Sequence, residues 1–317
     1  VTMSSTVDRS KTYESAPEHA LYVVIVTTRL ARHVDQNIDA VRSEACPEAI
    51  HDLRINLVKL ITILEVRLDR IPAETGSALL EDLRWLKKRS ADVRDWDVLL
   101  SDRKIWNPSG HGDKALRKLL SLARVSRKRA ADNIAAAVRT ERCALLQDKL
   151  CRLATLGTHS MEGIDSGVQR DLAGMLEHAF KAIRKRAHAC ETLDPEGLHS
   201  LRKSVKRLRY ACEVLRESFG GSADTLAFQA YSLQQALGEV HDAEVGRRRI
   251  KRLVKSQEKS VRRRAKIQRK VLKLRQRRYE RLLEMEWKLF HKIKRFWIPP
   301  SRAHAITETR GALLPPN

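Results

Sequence analysis

The chain has 317 residues, room for one large domain or two ordinary ones, and its 32% charged residues, 5% aromatics and sparse Gly and Pro argue against a sandwich or barrel. A formal net charge of +23 and a pI of about 10.2 point to a polyanionic partner: nucleic acid, an anionic membrane surface or a phosphate polymer. Five cysteines (Cys46, Cys143, Cys151, Cys190 and Cys212) show no CxxC spacing, which argues against a zinc site or disulfide framework. They read as small, reduced core residues.

In chain order, residues 1–17 are polar and expected to be disordered. Helical patterning then predicts helices over Glu18–Ser43, Pro47–Arg70, Glu74–Arg89, Trp96–Lys104 and Gly112–Arg139. Further helices are expected over Gln169–Glu191, Pro195–Phe219, Ala223–Leu237 and a long final region to Trp297, with 298–317 as a flexible tail. "NPSGHG" (Asn107–Gly112), "GTHSMEGIDSG" (Gly157–Gly167) and "FGGSAD" (Phe219–Asp224) mark breaks. No strand pattern is evident, so the expected class is all-α. The longest apolar run, "ALYVVIV" (Ala20–Val26), falls far short of the roughly 20 residues a membrane span needs. The N-terminus lacks the charged-then-apolar order of a signal peptide, which makes the cytoplasm the expected location.

Two segments recur. "CPEAIHDLR" (Cys46–Arg54) resembles "DPEGLHSLR" (Asp194–Arg202), with His51 and His199 148 positions apart. "LKKRSADVRDWDV" (Leu86–Val98) aligns with "LQQALGEVHDAEV" (Leu233–Val245) at an interval of 147. Order and interval are preserved, so the chain reads as two copies of one helical unit, about 18–155 and 165–297. Asp194 is suited to cap a helix that starts with Pro195 and Glu196, whereas Cys46 holds that place in the first copy.

The second copy's helix carries a basic stripe. At about 100° per residue from His199, Arg202 lies near −60°, Lys206 near −20°, Arg209 near −80°, Lys203 near +40° and Arg207 near +80°. Leu201, Val205, Leu208, Cys212 and Leu215 gather on the opposite face. The first copy keeps the apolar face in Leu53, Leu57, Leu60 and Leu64, and keeps His51, Arg54 and Lys59 on its polar side. Val58 and Ile61 stand where the second copy has Lys206 and Arg209. Like charges three and four apart destabilise a helix by a few tenths of a kcal/mol per pair, so uncompensated cations imply an anionic ligand. The histidines lack a second ligand at metal spacing and read as donors to an anion.

Asp95 and Asp242 occupy equivalent places in "VRDWDV" and "VHDAEV". Acids two residues apart point about 200° away from each other on a helix, so neither motif holds a metal by itself. The expectation is that Asp95 and Asp242 orient Arg54 and Arg202 in fork-like pairs.

These features, with the final "WKLFHKIKRFW" (Trp287–Trp297), resemble the CHAD domain, the conserved histidine α-helical domain, over 18–297. The resemblance implies two helical bundles of long helices, related by a pseudo-two-fold axis, with a basic cleft where they meet. It further implies binding of inorganic polyphosphate without catalytic activity; no cofactor or metal is expected, and association with polyphosphate granules goes with the expected cytoplasmic location. Carried over by position, the anion-binding residues are His51, Arg54, Lys59 and Arg94 in the first copy. In the second they are His199, Arg202, Lys203, Lys206, Arg207 and Arg209; His241 replaces Arg94. Members often accompany a CYTH-type triphosphatase domain, and no acidic ExExK-like motif of that kind is seen in these residues.

From Arg247 to Arg281 the chain is basic almost throughout, with Glu258 and Glu280 opposing. This run reads as a second face for an anion, with its middle (Lys255–Lys270) partly unfolded without ligand through self-repulsion. The competing function is RNA or DNA binding, against which stands the lack of aromatics interleaved with the basic segments. An enzyme is disfavoured because no P-loop, GxSxG, HExxH or acidic metal cluster is present.

Overall fold

The structure is a computed structural model, and it describes residues 16–66, 73–106, 113–159, 167–186, 190, 192–214, 216–293 and 295–297. The expected disordered segment up to residue 15, the tail from 298, "NPSGHG" and Leu215 lie outside the described residues. All regular structure among the described residues is helical, as an all-α chain requires.

The first helices are α1 (Ala16–Ser43), α2 (Pro47–Val66), α3 (Ala73–Arg89), α4 (Ala91–Ser101), the single turn α5 (Arg103–Trp106), α6 (Lys114–Ala137) and α7 (Glu141–His159). The rest are α8 (Gly167–Lys185), α9 (Pro195–Val214), α10 (Arg216–Leu253) and α11 (Lys259–His291). Helices α1, α2, α3 and α7 pack as one bundle, and α8, α9, α10 and α11 as another. The two meet where α1 touches α8 and α2 touches α9, and α4 and α6, which pack on each other and on α3, touch α10 and α11.

Amphipathic periodicity builds each bundle. Leu53, Leu57, Leu60 and Leu64 of α2 are fully buried, as are Leu201, Val205, Leu208 and Cys212 of α9. Burial of each such side chain contributes about 1.5–3 kcal/mol. At the C-terminal end, Trp297 packs edge-on against Phe180 of α8, and its Nε1 donates to Glu177 Oε2 at 3.1 Å.

Several boundaries differ from the pattern in the sequence. Helix α7 was not expected, because neither Gly nor Pro punctuates the chain before it. Its apolar spacing (Cys143, Leu146, Leu150 and Ala154) is buried, and Thr140 starts it by accepting the Cys143 and Ala144 amides through its carbonyl. The break expected at "FGGSAD" is absent: α10 runs unbroken through Gly220 and Gly221. Each helical glycine costs about 1 kcal/mol, which the buried Ala223, Leu226, Ala230 and Leu233 of the following turns offset. Helix α4 starts at Ala91 rather than Trp96, so the whole "VRDWDV" motif is helical. Residues Lys259–Lys270, expected to be partly unfolded without ligand, lie in α11. Of the cysteines, Cys143, Cys190 and Cys212 are buried as expected, whereas Cys151 is exposed and Cys46 half-buried.

Candidate polyanion-binding site

Helices α2 and α9 lie side by side, and their starts set their register. Asp194 caps α9 by accepting the Gly197 amide at 2.7 Å and the Glu196 amide at 3.4 Å. In α2 the Cys46 thiol accepts the Ala49 amide at 3.5 Å, a weaker cap because sulfur is a poor acceptor. Two ion pairs then cross the seam reciprocally. Lys59 Nζ lies 3.3 Å from Glu213 Oε2, and Arg207 Nη2 lies 3.0 Å from Glu65 Oε2. Lys59 and Arg207 are 148 positions apart, and so are Glu65 and Glu213. The two pairs thus exchange partners across the seam.

Toward the centre the acids run out. Arg54 donates through Nη1 to the Lys87 carbonyl at 2.8 Å and to Ser90 Oγ at 3.1 Å. It thereby closes the C-terminal end of α3, where a cation is favoured, and marks the turn into α4. The fully buried Ser90 hydroxyl donates to that same Lys87 carbonyl at 3.0 Å. Burial disfavours the charge on Arg54; Asp95 opposes this, while Arg94 and Arg202 add to it. Lys206 faces the same space. Burial, followed by Arg202, Arg54, Arg209 and Lys87, lowers its pKa to about 7. Lys87 is lowered as well, by burial and then by Arg207. No carboxylate pairs with Lys206 or Lys87 among the described residues. The site therefore holds cations in a setting where each raises the cost of the next.

Histidines border this centre. His199 and His241 stack with ring centroids 5.1 Å apart and planes 26° off parallel. Burial and then Arg202 lower His241 to about 3, so it stays neutral. Burial and then Lys203 lower His199, whose buried Nδ1 has no hydrogen-bond partner. His51 is largely exposed, and partial desolvation of its ring, then Arg94, lowers it too. A neutral imidazole keeps one N–H to donate and gains a second when an anion favours protonation.

The ten residues expected to bind an anion thus divide. Arg54, Arg94, His51, His199, Arg202, Lys203 and Lys206 share one field centred on the α2–α9 seam, linked to α4 and α10. Lys59, Arg207 and Arg209 form a rim already matched by acids. Arg209 Nε lies 3.4 Å from Glu213 Oε1, and its guanidinium stacks 4.5 Å from the Tyr210 ring and 5.6 Å from that of Tyr231.

The expected Asp–Arg forks are not formed. Asp242 Oδ1 lies 3.8 Å from Arg202 Nη2, a single long contact, and Arg202 Nε is buried without a partner. Asp95 goes instead to Arg249, with Oδ2 2.9 Å from Nη2; that nitrogen also lies 2.8 Å from Asp92 Oδ1. Arg54 is held instead by the Lys87 carbonyl and Ser90 Oγ at the turn into α4, and α4 packs against α10. The aligned stretch of α10 continues as helix through Leu237, the counterpart of Ser90. Lys87 and Arg248 were missed as members of the field. Lys87 lies inside the duplicated "LKKRSADVRDWDV" segment, the one signal that marked it. No cluster of three or more His, Cys, Asp or Glu side chains placed to hold a metal occurs among the described residues.

Comparison with known proteins fits this architecture. The family model for the CHAD domain matches residues 26–251. Two uncharacterized proteins of Mycobacterium tuberculosis (strains CDC 1551 / Oshkosh and ATCC 25618 / H37Rv) are each 27% identical over 233 residues. The match covers 66% of this chain and 40% of each relative, so the chain spans well under half the length of the relatives it matches. The crystal structure of the CHAD domain from the plant Ricinus communis superposes with a TM-score of 0.69 at 21% identity, covering 87% of this chain and 92% of that one. PptA from Streptomyces chartreusis superposes at 0.64 with 15% identity, covering 85% and 99%. These two likenesses establish the shared fold. With its family model spanning most of the sequence, the chain belongs to the CHAD domain family.

Proposed function

We propose that the chain binds inorganic polyphosphate along the α2–α9 seam, as a non-catalytic module with no cofactor. One observation carries the reading: Arg54, Arg202 and Lys206 converge with Lys87, while Glu65 and Glu213 are engaged at the rim, Asp95 on Arg249, and Asp242 reaches Arg202 only at 3.8 Å. A protein that leaves like charges together loses stability unless a ligand supplies the counter-charge. Polyphosphate offers a charge on every unit and no bases to read, which suits guanidinium forks and ammonium point charges. The cytoplasm, including polyphosphate granules, is the location this reading favours.

The test is titration with polyphosphates of several lengths across a salt series, with RNA and duplex DNA as controls. Tight binding that weakens linearly in log salt, and that RNA of matched charge fails to displace at physiological salt, is the expected result. Easy displacement would transfer the site to nucleic acid. Phosphate release with added magnesium, lost in His199→Ala, would overturn the non-catalytic reading.

A second reading, RNA or DNA binding, is favoured by one structural observation. Phe228 is 64% exposed and Tyr231 43% exposed, three residues apart on α10, with Tyr231 beside Arg209. This is a stacking surface next to cations that the linear sequence did not display.

A further inference from the structure

Helix α11 treats its two sides differently. Two of its inward cations are matched by acids of neighbouring elements: Arg264 Nε lies 3.1 Å from Asp113 Oδ2, and Arg275 contacts both Asp102 and Glu239. Inward Gln268 is buried and donates to the Ile105 carbonyl at 2.6 Å. The outward side has no such matching. Of the twelve exposed residues from Lys259 to Arg281, nine are Lys or Arg, and the others are Ser260, Ile267 and Leu274. None of the nine cations hydrogen-bonds or ion-pairs with an acid among the described residues. The stretch is about 33 Å long at 1.5 Å per residue.

Within this cationic side runs an apolar line. Ile267 is 45% exposed, Leu274 57%, Met285 50% and Leu289 44%. At about 100° per residue they fall near 0°, −20°, 0° and +40° around the helix, a single narrow stripe. Arg278 lies within it, and Arg263, Lys270, Arg281 and Lys288 border it on one side at about −40° to −60°. These apolar side chains have no use for a bare phosphate chain. Together with flanking Lys and Arg on a straight helix, they match what a bilayer surface offers: anionic headgroups above an apolar boundary. Helix α11 lies beyond residues 26–251, the span of the family model, and it packs along α10, as α9 also does. The face shares no residue with the α2–α9 seam.

We propose that the outward face of α11 is a docking surface for an anionic lipid bilayer. Ile267 and Leu274 enter the boundary between headgroups and acyl chains, with Met285 and Leu289 extending the line, and the flanking cations reach the lipid phosphates. The proposal is independent of the polyphosphate reading, because the two use different residues.

The experiment is co-sedimentation of the full chain with vesicles of phosphatidylcholine alone, or with one-third phosphatidylglycerol, at physiological salt. The expected result is binding to the anionic vesicles only. The double variant Ile267→Ser, Leu274→Ser should weaken that binding about tenfold, as loss of two partly inserted apolar side chains implies, with unchanged melting temperature and polyphosphate affinity. Arg202→Ala should leave vesicle binding intact, and vesicle-bound protein should still capture labelled polyphosphate. Vesicle binding insensitive to the double variant, or as strong on neutral vesicles, would overturn the proposal. So would loss of vesicle binding in Arg202→Ala. Failure to sediment, combined with duplex DNA binding that Lys270→Glu weakens, would assign the face to nucleic acid.

Discussion

Helices α2 and α9 share a start, an apolar face and an Arg at the same place, yet they spend their polar sides differently. Where α9 has Lys206 and Arg209, α2 has Val58 and Ile61, and Ile61 is 2% exposed within the core. The first copy thus contributes packing where the second contributes charge. Electrostatics gives a reason: Lys206 already meets Arg54, Arg202, Arg209 and Lys87, and a further lysine opposite it would add repulsion to a site whose burial lowers Lys206 to about 7. The remaining rim cations, Lys59 and Arg207, are equivalent in sequence and are neutralised equivalently, each by the other helix's glutamate. Useful charge therefore sits at the centre, and unevenly.

The largest effect should come from that centre. Lys206→Ala and Arg202→Ala are each expected to weaken polyphosphate binding by about ten- to a hundredfold, the range for a charge-assisted contact, measured by isothermal titration at fixed salt. If Lys59→Ala cost as much, the division between centre and rim would fail.

Acidity should sharpen the same contrast. Lys206 must carry its proton to bind an anion, and burial has brought its pKa to about 7. Affinity should then fall as pH rises from 6 to 9, by about tenfold for one such contact. Lys206→Arg, which stays charged throughout, should bind with a much flatter profile. A steep profile in Lys206→Arg would place the titration elsewhere.

Stability should move oppositely. Between about pH 7 and the ordinary lysine range near 10.5, the unfolded chain holds a proton that folded Lys206 has released, so the free protein gains stability as pH rises. Near pH 6 both states are protonated and the full penalty applies. Lys206→Met should raise the melting temperature there by a few degrees, about 1 kcal/mol or more, and the advantage should shrink toward pH 10. Calorimetry without ligand at the two pH values checks this.

The smallest effects belong to the rim. Lys59→Ala and Arg207→Ala should each cost about threefold or less, since a glutamate already screens the charge. Glu213→Gln, which frees Lys59 and Arg209, should tighten polyphosphate binding slightly. A large loss in either lysine or arginine variant would mean that the glutamates yield their partners to the ligand.

Much of this was legible in the residues. The Asp194 cap and the apolar faces of α2 and α9 are local or periodic signals, and each appears in the structure where the sequence puts it. Legibility failed where a partner came from far along the chain. Asp95 was assigned to Arg54 by alignment, but it pairs with Arg249, 154 positions away. Gly246 gave no hint of its task. A Cβ there would stand 3.0 Å from Leu99 Cδ1 and 3.1 Å from Leu272 Cδ1, so glycine lets α10 approach α4 and α11 closely.

The sequence by itself determined helices, their buried sides, the family and a surplus of positive charge, because periodicity and composition are properties of neighbouring residues. Only the tertiary structure decided which charges remain available. An acid neutralises a cation when folding brings them within a few ångströms, and Glu65, Glu213, Asp102 and Asp113 each reach theirs across helices. Net charge pointed to a partner; the fold leaves Lys206 at the α2–α9 centre and the exposed cations of α11 without an acid partner among the described residues.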